Sequence, residues 1–318
     1  MAAEQKTGKL VVLIPTRDRP AYLNVTVESV LEQAKRFGHK DVEIVVSDVS
    51  ESKNAKQNEK FVERLRARFP NTPVHYYGPG EPEAIKRLLE KATDEERRAY
   101  EKLAPADGHY GAHRNRLALL GVYHGGENAA YLHLDDDTPL LDADKEGRVA
   151  KKPGDALGAF RKGLETALDK DKLGFSGAIS GVEDARVSFH RSIEPGSLRK
   201  ILSKPSLLKP IVFAPGRVLE ERAMRVPYGP YGVNEDSSHY ERVARRYNRL
   251  VLVGNAYASS AAPETMILHI GVAGPVPKDR NIMHSLMVAQ ALADGYAAPW
   301  ERLVNRMAEL GRRRERRE

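Results

Sequence analysis

The stretch Tyr131-Leu132-His133-Leu134-Asp135-Asp136-Asp137-Thr138-Pro139 joins an apolar segment to consecutive carboxylates. The apolar part is typical of the end of a short buried strand, and Pro139 stops further sheet pairing because it lacks a backbone N–H. If extended backbone continued past the strand, Asp135 and Asp137 would point to the same side. Carboxylates placed in this way are ligands for Mn²⁺ or Mg²⁺, which also take oxygens from water and phosphate. Because short acidic motifs are common, a solvated acidic turn is the alternative.

Length and composition limit the classes of protein that the chain can belong to. The 318 residues suit one large domain or two small ones, and 41% hydrophobic residues can fill a sizeable core. No apolar run reaches about 18 residues, so no membrane span is predicted. The polar N-terminus lacks the apolar centre of a signal peptide, and the chain has no cysteine. Together these features predict a cytoplasmic protein without disulfides.

The charge distribution favours a small anionic partner over a nucleic acid. The net charge is +7, and residues 312–318 contribute +3 of it through five arginines and two glutamates. The remaining excess of +4 is compatible with a polyanionic substrate such as a nucleotide diphosphate. Aromatic and basic residues do not alternate as they do in stacking platforms for nucleic acids, so no nucleic-acid partner is predicted. A homo-oligomer remains open.

Two earlier apolar segments also end in polar residues. Lys9–Ile14 is closed by Pro15 and followed by Thr16-Arg17-Asp18-Arg19, and Val42–Val46 is followed by Ser47-Asp48. Helical spacing between the two segments predicts a βαβ unit, and the lack of alternation indicates strands covered on both faces. In such α/β sheets ligands bind beyond the carboxyl ends of the strands. The sequence therefore predicts a central, mostly parallel sheet with a site at these ends.

Three later segments carry further candidate side chains. Gly108–Arg116 is rich in glycine and cationic residues and is predicted as a loop at a helix start, which favours anions. Glu235-Asp236 is predicted to open another helix. His269 ends a predicted strand and His284 opens an amphipathic helix; imidazole suits Mn²⁺, but a strand histidine paired within the fold is the alternative.

Four segments in this order resemble GT-A-fold nucleotide-sugar glycosyltransferases, especially the family-2-like group. They are Val12–Arg19, Ile44–Asp48, Gly111–Asn115 and Leu132–Asp137. A fifth segment, Asn234-Glu235-Asp236, is similar to the acidic helix start that supplies the base in that family. The resemblance covers about residues 9–240 and is poor beyond Asp236.

The resemblance implies an α/β, Rossmann-like GT-A domain at residues 1–280, followed by C-terminal helices and a basic tail at 281–318. Within the domain, residues 9–140 would form the nucleotide-binding half and 141–280 the acceptor half. The chain departs from the family after Asp48, where Val49-Ser50 stands in place of the usual acidic residues and glycine. The identity of the nucleobase is therefore open.

The resemblance also implies roles for individual residues. Asp48 would accept a hydrogen bond from a base such as uracil, although a turn residue at a strand end is the alternative. Arg114 would neutralise the diphosphate, with a solvated charge at a helix start as its alternative. Asp236 or Glu235 would be the catalytic base. The other implied residues are Pro15, Thr16, Arg17, Asp135 and Asp136 for the nucleotide sugar, and Asp137, Asp135 and His269 for the metal, with His284 as a second candidate.

The implied activity is metal-dependent transfer of a hexose from a nucleotide diphosphate donor to a hydroxyl acceptor. A UDP-sugar is favoured and a GDP-sugar is compatible, with inversion at the anomeric carbon. The alternatives are a retaining enzyme, a sugar nucleotidyltransferase and a non-catalytic nucleotide-sugar-binding protein. The absence of glycine from Pro15–Arg19 counts against the nucleotidyltransferase, which normally carries a glycine-rich phosphate loop after the first strand.

Overall fold

The fold is taken from a computed structural model of the 318-residue chain. The structure describes residues 8–105, 110–126, 128–143, 154–170, 173–176, 180–184, 200, 208–212, 216–230, 239, 242–243, 246, 252–253, 266–269 and 281–316. Glu235 and Asp236, the two predicted candidates for the base, lie outside these residues.

The described strands form two sheets. In chain order they are β1 (Leu10–Thr16), β2 (Val42–Asp48), β3 (Val74–Tyr77), β4 (Ala130–Leu134), β5 (Asp142–Ala143), β6 (Gly174–Ser176), β7 (Ser180–Asp184), β8 (Leu208–Val212), β9 (Gly216–Glu220), β10 (Leu252–Val253) and β11 (Met266–His269). The central sheet has the order β10-β6-β9-β4-β1-β2-β3, and a second sheet has the order β5-β11-β7-β8. In the central sheet β9 runs antiparallel to β4 and β6, and the other described pairings are parallel. The predicted α/β fold with a central, mostly parallel sheet is confirmed.

The helices connect the parallel strands. They are α1 (Pro20–Phe37), α2 (Ser52–Arg68), α3 (Glu83–Glu90), α4 (Asp94–Leu103), α5 (Tyr110–Gly125), α6 (Ala156–Asp169), α7 (Glu221–Met224), α8 (Asn281–Gly295) and α9 (Ala297–Glu315). The βαβ unit predicted from the first two apolar segments is present as β1, α1 and β2. None of the described helices is long and apolar enough to cross a membrane.

The apolar run of β1 is continuous because the strand is covered on both faces. Leu10, Val12 and Ile14 are fully buried in one cluster with side chains of α1, α2 and α6. Val11 and Leu13 are fully buried in a second cluster with side chains of α3, α4, α5 and α9. Since successive strand side chains point to opposite faces, one strand serves two hydrophobic layers.

The C-terminal helix α9 is part of the second layer. Trp300, Leu303 and Met307 are fully buried in the cluster that contains the apolar residues of α5. The two helices approach so closely at Gly311 that a Cβ there would lie 2.2 Å from the carbonyl oxygen of Tyr123. The predicted boundary after residue 280 is not tested by this packing and stays a prediction.

The predicted loop over Gly108–Arg116 is wrong for the part that the structure describes. Helix α5 begins at Tyr110, so Gly111–Arg116 is helical. A glycine within a helix costs about 1 kcal/mol relative to alanine. Tertiary hydrogen bonds favour the helix here: the buried Asn115 donates to the Leu103 and Tyr228 carbonyls at 2.7 and 2.9 Å and accepts from the Tyr228 N–H at 2.7 Å.

Candidate active site

The carboxyl ends of β1 and β4 bring Thr16 and the three aspartates together. The two strands are parallel neighbours, so the residues that follow them lie at the same edge of the sheet. The Thr16 hydroxyl donates to Asp136 Oδ2 at 2.7 Å. The Thr26 hydroxyl of α1 donates to the Asp136 carbonyl at 2.7 Å. Both threonines are buried, so the acidic segment is fixed to the βαβ unit.

The predicted pairing of Asp135 with Asp137 on one side of an extended strand is wrong. Strand β4 ends at Leu134, and the segment that follows turns. The Thr138 N–H closes this turn by donating to the Asp135 carbonyl at 3.2 Å. The alternation of side chains therefore stops at Leu134, since it holds only for extended backbone. We call Asp135, Asp136 and Asp137 the acidic turn.

Arg19 joins two members of the acidic turn. Its Nη1 lies 2.7 Å from Asp137 Oδ2 and 3.3 Å from Asp136 Oδ1. The side chains of both aspartates are less than 10% exposed, whereas that of Arg19 is 31% exposed. The guanidinium thus lies between a buried pair of carboxylates and the solvent.

Arg114 forms an ion pair with Asp135, the remaining residue of the acidic turn. The arginine lies in the early part of α5, its side chain is buried, and its Nη2 donates to Asp135 Oδ1. The Asp135 side chain is 45% exposed, so this ion pair borders the solvent. Arg114 is carried by a helix where a loop was predicted, and its role at a diphosphate stays a prediction.

One carboxylate of the acidic turn has a strongly raised pKa. Burial, followed by the neighbouring charge of Asp137, raises the pKa of Asp136 to about 7, although Arg19 and Thr16 oppose the shift. Among the described contacts, the three carboxylates pair with the guanidinium groups of Arg19 and Arg114.

The donors at the acidic turn fit a hard divalent cation. The turn offers carboxylate oxygens, the ligand type that Mg²⁺ and Mn²⁺ prefer. The buried Thr138 hydroxyl beside it has no hydrogen-bond partner in the described part of the chain. Three neighbouring carboxylates and an unsatisfied buried oxygen are both compatible with a bound cation.

Asp48, at the end of β2, is held by three donors from the protein. It accepts from the Ser50 N–H at 2.7 Å, from Asn58 Nδ2 at 2.7 Å and from the Tyr76 hydroxyl at 2.6 Å. The carboxylate is buried, so a nucleobase N–H would have to replace or share one of these donors. The geometry matches the alternative of a strand-end turn residue, and base recognition by Asp48 stays a prediction.

A strained residue fixes the loop between β1 and α1. Asp18 has a φ of 56°, in the left-handed region that non-glycine residues seldom adopt. Its N–H donates to Ser50 Oγ at 2.7 Å, and its Oδ1 accepts from the Glu51 N–H at 2.9 Å and from Asn54 Nδ2 at 3.0 Å. These bonds fasten the loop after β1 to the loop after β2. In this loop Arg17 is exposed, and Arg19 contacts the acidic turn.

Sequence reasoning missed several residues that the structure brings to this edge. Arg19 lies in the polar segment that follows β1. Its nearness to the strand end could have marked it as a candidate site residue. Asp18 also lies in that segment, and an aspartate beside a strand end is a common turn residue. Asn58 and Tyr76 gave no signal, because they come from α2 and β3 and meet Asp48 only in three dimensions.

The predicted histidine ligands lie on two later elements, β11 and α8. His269 ends β11, which lies in the second sheet and pairs there with β7. His284 lies in α8. For both residues the structure describes only the backbone. Their role as metal ligands stays a prediction.

A second charged cluster lies at the opposite edge of the sheet, at the amino ends of β2 and β3. Within the chain segments described, one group of three His, Asp or Glu residues has ligand atoms that all lie within 4.8 Å of one another. The group is Glu43, His75 and His124. The chain already supplies cations to them: Lys9 Nζ is 2.8 Å from Glu43 Oε1, and Arg314 Nη1 is 2.7 Å from His124 Nδ1.

The geometry of this second cluster does not suit a metal ion. The imidazole rings of His75 and His124 are stacked, with centroids 3.7 Å apart and planes at 21°. Lone pairs in the planes of stacked rings run side by side and do not converge on one ion. Lys9 also bonds the carboxylate of Glu315 on α9 at 3.0 Å. The cluster therefore joins α9 to the sheet.

Comparisons with known proteins find similarity only among solved structures. No protein-family model and no curated protein matches the chain. The chain is similar to a mannosyltransferase of Pyrobaculum calidifontis solved with GDP-Man and Mn²⁺, at 13% identity and a TM-score of 0.43, over 97% of this chain and 71% of that one. It is similar to S. aureus TarS at 14% identity and a TM-score of 0.39, over 92% and 70% of the two chains. It is also similar to the galactosyltransferase LgtC at 14% identity and a TM-score of 0.35, over 93% and 95%. At these identities and scores the similarities by themselves assign no activity to the chain.

Proposed function

We propose that the chain is a metal-dependent glycosyltransferase that moves a sugar from a nucleotide diphosphate donor to a hydroxyl acceptor. The observation that carries the proposal is the acidic turn itself. Buried carboxylates and two guanidinium groups meet at the carboxyl edge of a mostly parallel sheet, beside Thr16. Carboxylates that can hold a divalent ion, next to two guanidinium groups, suit a substrate whose leaving group is a diphosphate.

Each group at this edge has a part in the proposed reaction. Asp137 and Asp136 would hold the cation, and His269 is the proposed ligand from the C-terminal part. A divalent ion stabilises the negative charge that develops on a leaving diphosphate. Arg114 would add a charge-assisted hydrogen bond to the same phosphates, and its contact with Asp135 keeps it at the solvent border until they arrive.

The nucleotide would lie along the ends of β1 and β2. Pro15, Thr16 and Arg17 would border it, and Asp48 would meet the base. We favour a UDP-sugar, with a GDP-sugar as the competing donor, because the departure from the family pattern after Asp48 leaves the base open. The acceptor would be deprotonated by Asp236, or by Glu235, as its hydroxyl attacks, with inversion at the anomeric carbon.

A thermal-shift screen tests the donor class. UDP-, GDP- and dTDP-sugars are added with and without Mn²⁺, and a hydrolysis and transfer assay follows for each compound that binds. A donor at 100 times its Kd should stabilise the fold by about 2.7 kcal/mol. Stabilisation that needs both sugar nucleotide and Mn²⁺ supports the proposal. Binding without turnover would support a non-catalytic binding protein, and no response to any donor would contradict the proposal.

The base is tested by two conservative variants. Asp236→Asn should retain donor and Mn²⁺ affinity but lower the transfer rate by about 10²–10⁴, because general-base catalysis contributes that much. Glu235→Gln should have the smaller effect, and the reverse ranking would move the role to Glu235. Near-normal transfer in both variants would favour a retaining enzyme.

A further inference from the structure

Arg19 occupies the position where a cation bound by Asp136 and Asp137 would have to lie. Its Nη1 is 2.7 Å from Asp137 Oδ2 and 3.3 Å from Asp136 Oδ1, so one nitrogen spans both carboxylates. A divalent ion binds carboxylate oxygen at about 2.0–2.6 Å. An ion at that distance and a guanidinium nitrogen at hydrogen-bond distance would share the same oxygens while repelling each other.

The surroundings of Arg19 allow its side chain to leave. The side chain is 31% exposed, and its described hydrogen bonds all go to Asp136 and Asp137. Its backbone is the N-cap of α1, and the side chain makes no capping hydrogen bond there. The preceding residue, Asp18, is fastened to the loop after β2. The backbone at Arg19 is thereby held in place while the guanidinium is free to turn.

We propose that Arg19 is the resident counter-ion of the Asp136–Asp137 pair, and that a divalent metal binds there by displacing its guanidinium, which then serves the diphosphate of the donor. This inference rests on the proposed function. It makes the arginine a competitor of the metal in the absence of donor and a ligand of the donor once the metal is bound. Metal binding and donor binding would thus be coupled through one side chain.

The proposal predicts effects of opposite sign from one substitution. Arg19→Gln removes the competing charge and retains a shorter polar side chain. Mn²⁺ alone should then bind about tenfold more tightly, because a charge-assisted interaction of about 1.5 kcal/mol no longer has to be broken. At saturating Mn²⁺, the same variant should bind GDP and UDP about tenfold more weakly, because the donor loses a cationic ligand.

Arg17→Gln is the matched control. It removes the same charge from an exposed side chain two residues before Arg19, so it reports the general electrostatic effect on Mn²⁺ affinity. Mn²⁺ affinities are measured on the full chain by titration calorimetry and by electron paramagnetic resonance of free Mn²⁺. Tighter Mn²⁺ binding in Arg19→Gln, relative to both wild type and Arg17→Gln, together with weaker nucleotide diphosphate binding relative to wild type, supports the proposal. Unchanged or weaker Mn²⁺ binding in Arg19→Gln overturns it.

Asp137→Asn separates failure of this inference from failure of the proposed function. If Mn²⁺ binding in the presence of GDP or UDP is lost in Asp137→Asn but is not tightened in Arg19→Gln, the metal site stands and the displacement of Arg19 is wrong. If Asp137→Asn binds Mn²⁺ as wild type does, the ion is not at the acidic turn, and both the inference and the metal site of the proposed function are overturned.

Discussion

The two edges of the central sheet carry charged clusters of opposite character. At the carboxyl edge, three carboxylates of the acidic turn face two guanidinium groups, and Asp135 remains 45% exposed. At the amino edge, the carboxylates of Glu43 and Glu315 face the cations of Lys9 and Arg314 around two histidines. Among the described contacts, the first cluster has more carboxylates than cations, whereas the second has equal numbers of the two.

This difference shows how charge distinguishes a candidate binding site from a cluster that holds a helix against the sheet. An ion network whose charges balance needs no ligand, and here it fastens α9 to the amino ends of the strands. Burying neighbouring carboxylates is costly unless a cation compensates their charge, and burial next to Asp137 raises the pKa of Asp136. Spacing between ligand atoms alone would select the other edge, since the described residues with metal-ligand spacing lie at the amino edge.

The largest expected effect comes from removing a carboxylate of the acidic turn. Asp137→Ala should abolish the part of donor binding that depends on Mn²⁺, because the pair that holds the ion is lost. Titration calorimetry with GDP and UDP, with and without Mn²⁺, measures this, and circular dichroism checks the fold. Glu43→Gln removes a charge at the amino edge and should leave donor affinity unchanged. Equal losses in the two variants would contradict the distinction between the edges.

A smaller effect is expected from Arg114. Arg114→Ala should weaken binding of a nucleoside diphosphate by about one to two orders of magnitude, since charge-assisted hydrogen bonds contribute about 1.5–3 kcal/mol. Affinity for the nucleoside without phosphates should hardly change. Arg302→Ala is the control, because it removes a half-exposed arginine that contacts Glu95 on another face. Equal weakening for nucleoside and diphosphate would indicate a folding defect and no phosphate contact.

A change in the packing of α9 against α5 tests the structural role of the amino edge. Gly311→Ala should lower the free energy of unfolding by about 1–3 kcal/mol, because the added methyl group meets the backbone of Tyr123 at 2.2 Å. Gly295→Ala is the matched control, since a Cβ there would meet no atom within 4 Å. Urea unfolding measures both. Donor affinity should be unaffected in Gly311→Ala. A loss of donor affinity would show that the packing of α9 is coupled to the candidate site at the acidic turn.

The smallest expected effect concerns the buried histidines of α5, one near each edge. Burial, followed by the charges of Arg116 and Arg114, lowers the pKa of His113 to about 3. Burial, followed by the charges of His75 and Arg314, lowers the pKa of His124 to about 2. Each has an ordinary value of 6.5, so in acid the unfolded chain binds protons that the folded chain does not. Stability should therefore fall as the pH is lowered through 6.5 toward these values.

The histidine prediction is checked by urea unfolding between pH 7 and pH 5. His113→Gln and His124→Gln should each reduce the slope of stability against pH by up to about 1.4 kcal/mol per pH unit. Similar reductions are expected at the two edges, because desolvation dominates both shifts even though the surrounding charges differ. A variant that retains the wild-type slope would show that its histidine is protonated in the folded protein.

The sequence by itself determined the βαβ unit and the location of the acidic turn. Continuous apolar runs must be covered on both faces, and their polar ends must meet at one edge of a parallel sheet. From sequence alone, those two rules predict that Thr16, Asp48 and the aspartates lie at one edge of the sheet. Arg114 was assigned to the same region because cationic residues near a helix start favour anions.

Only the tertiary structure decided which charges are paired. The turn after Leu134 ended the alternation and placed Asp137 with Asp136 against Arg19. Hydrogen bonds from distant Tyr228 and Leu103 stabilised Asn115 inside a helix where local sequence predicted a loop. Donors from α2 and β3 satisfied Asp48. Such contacts join residues far apart in the chain, and periodicity and turn propensity carry no information about them.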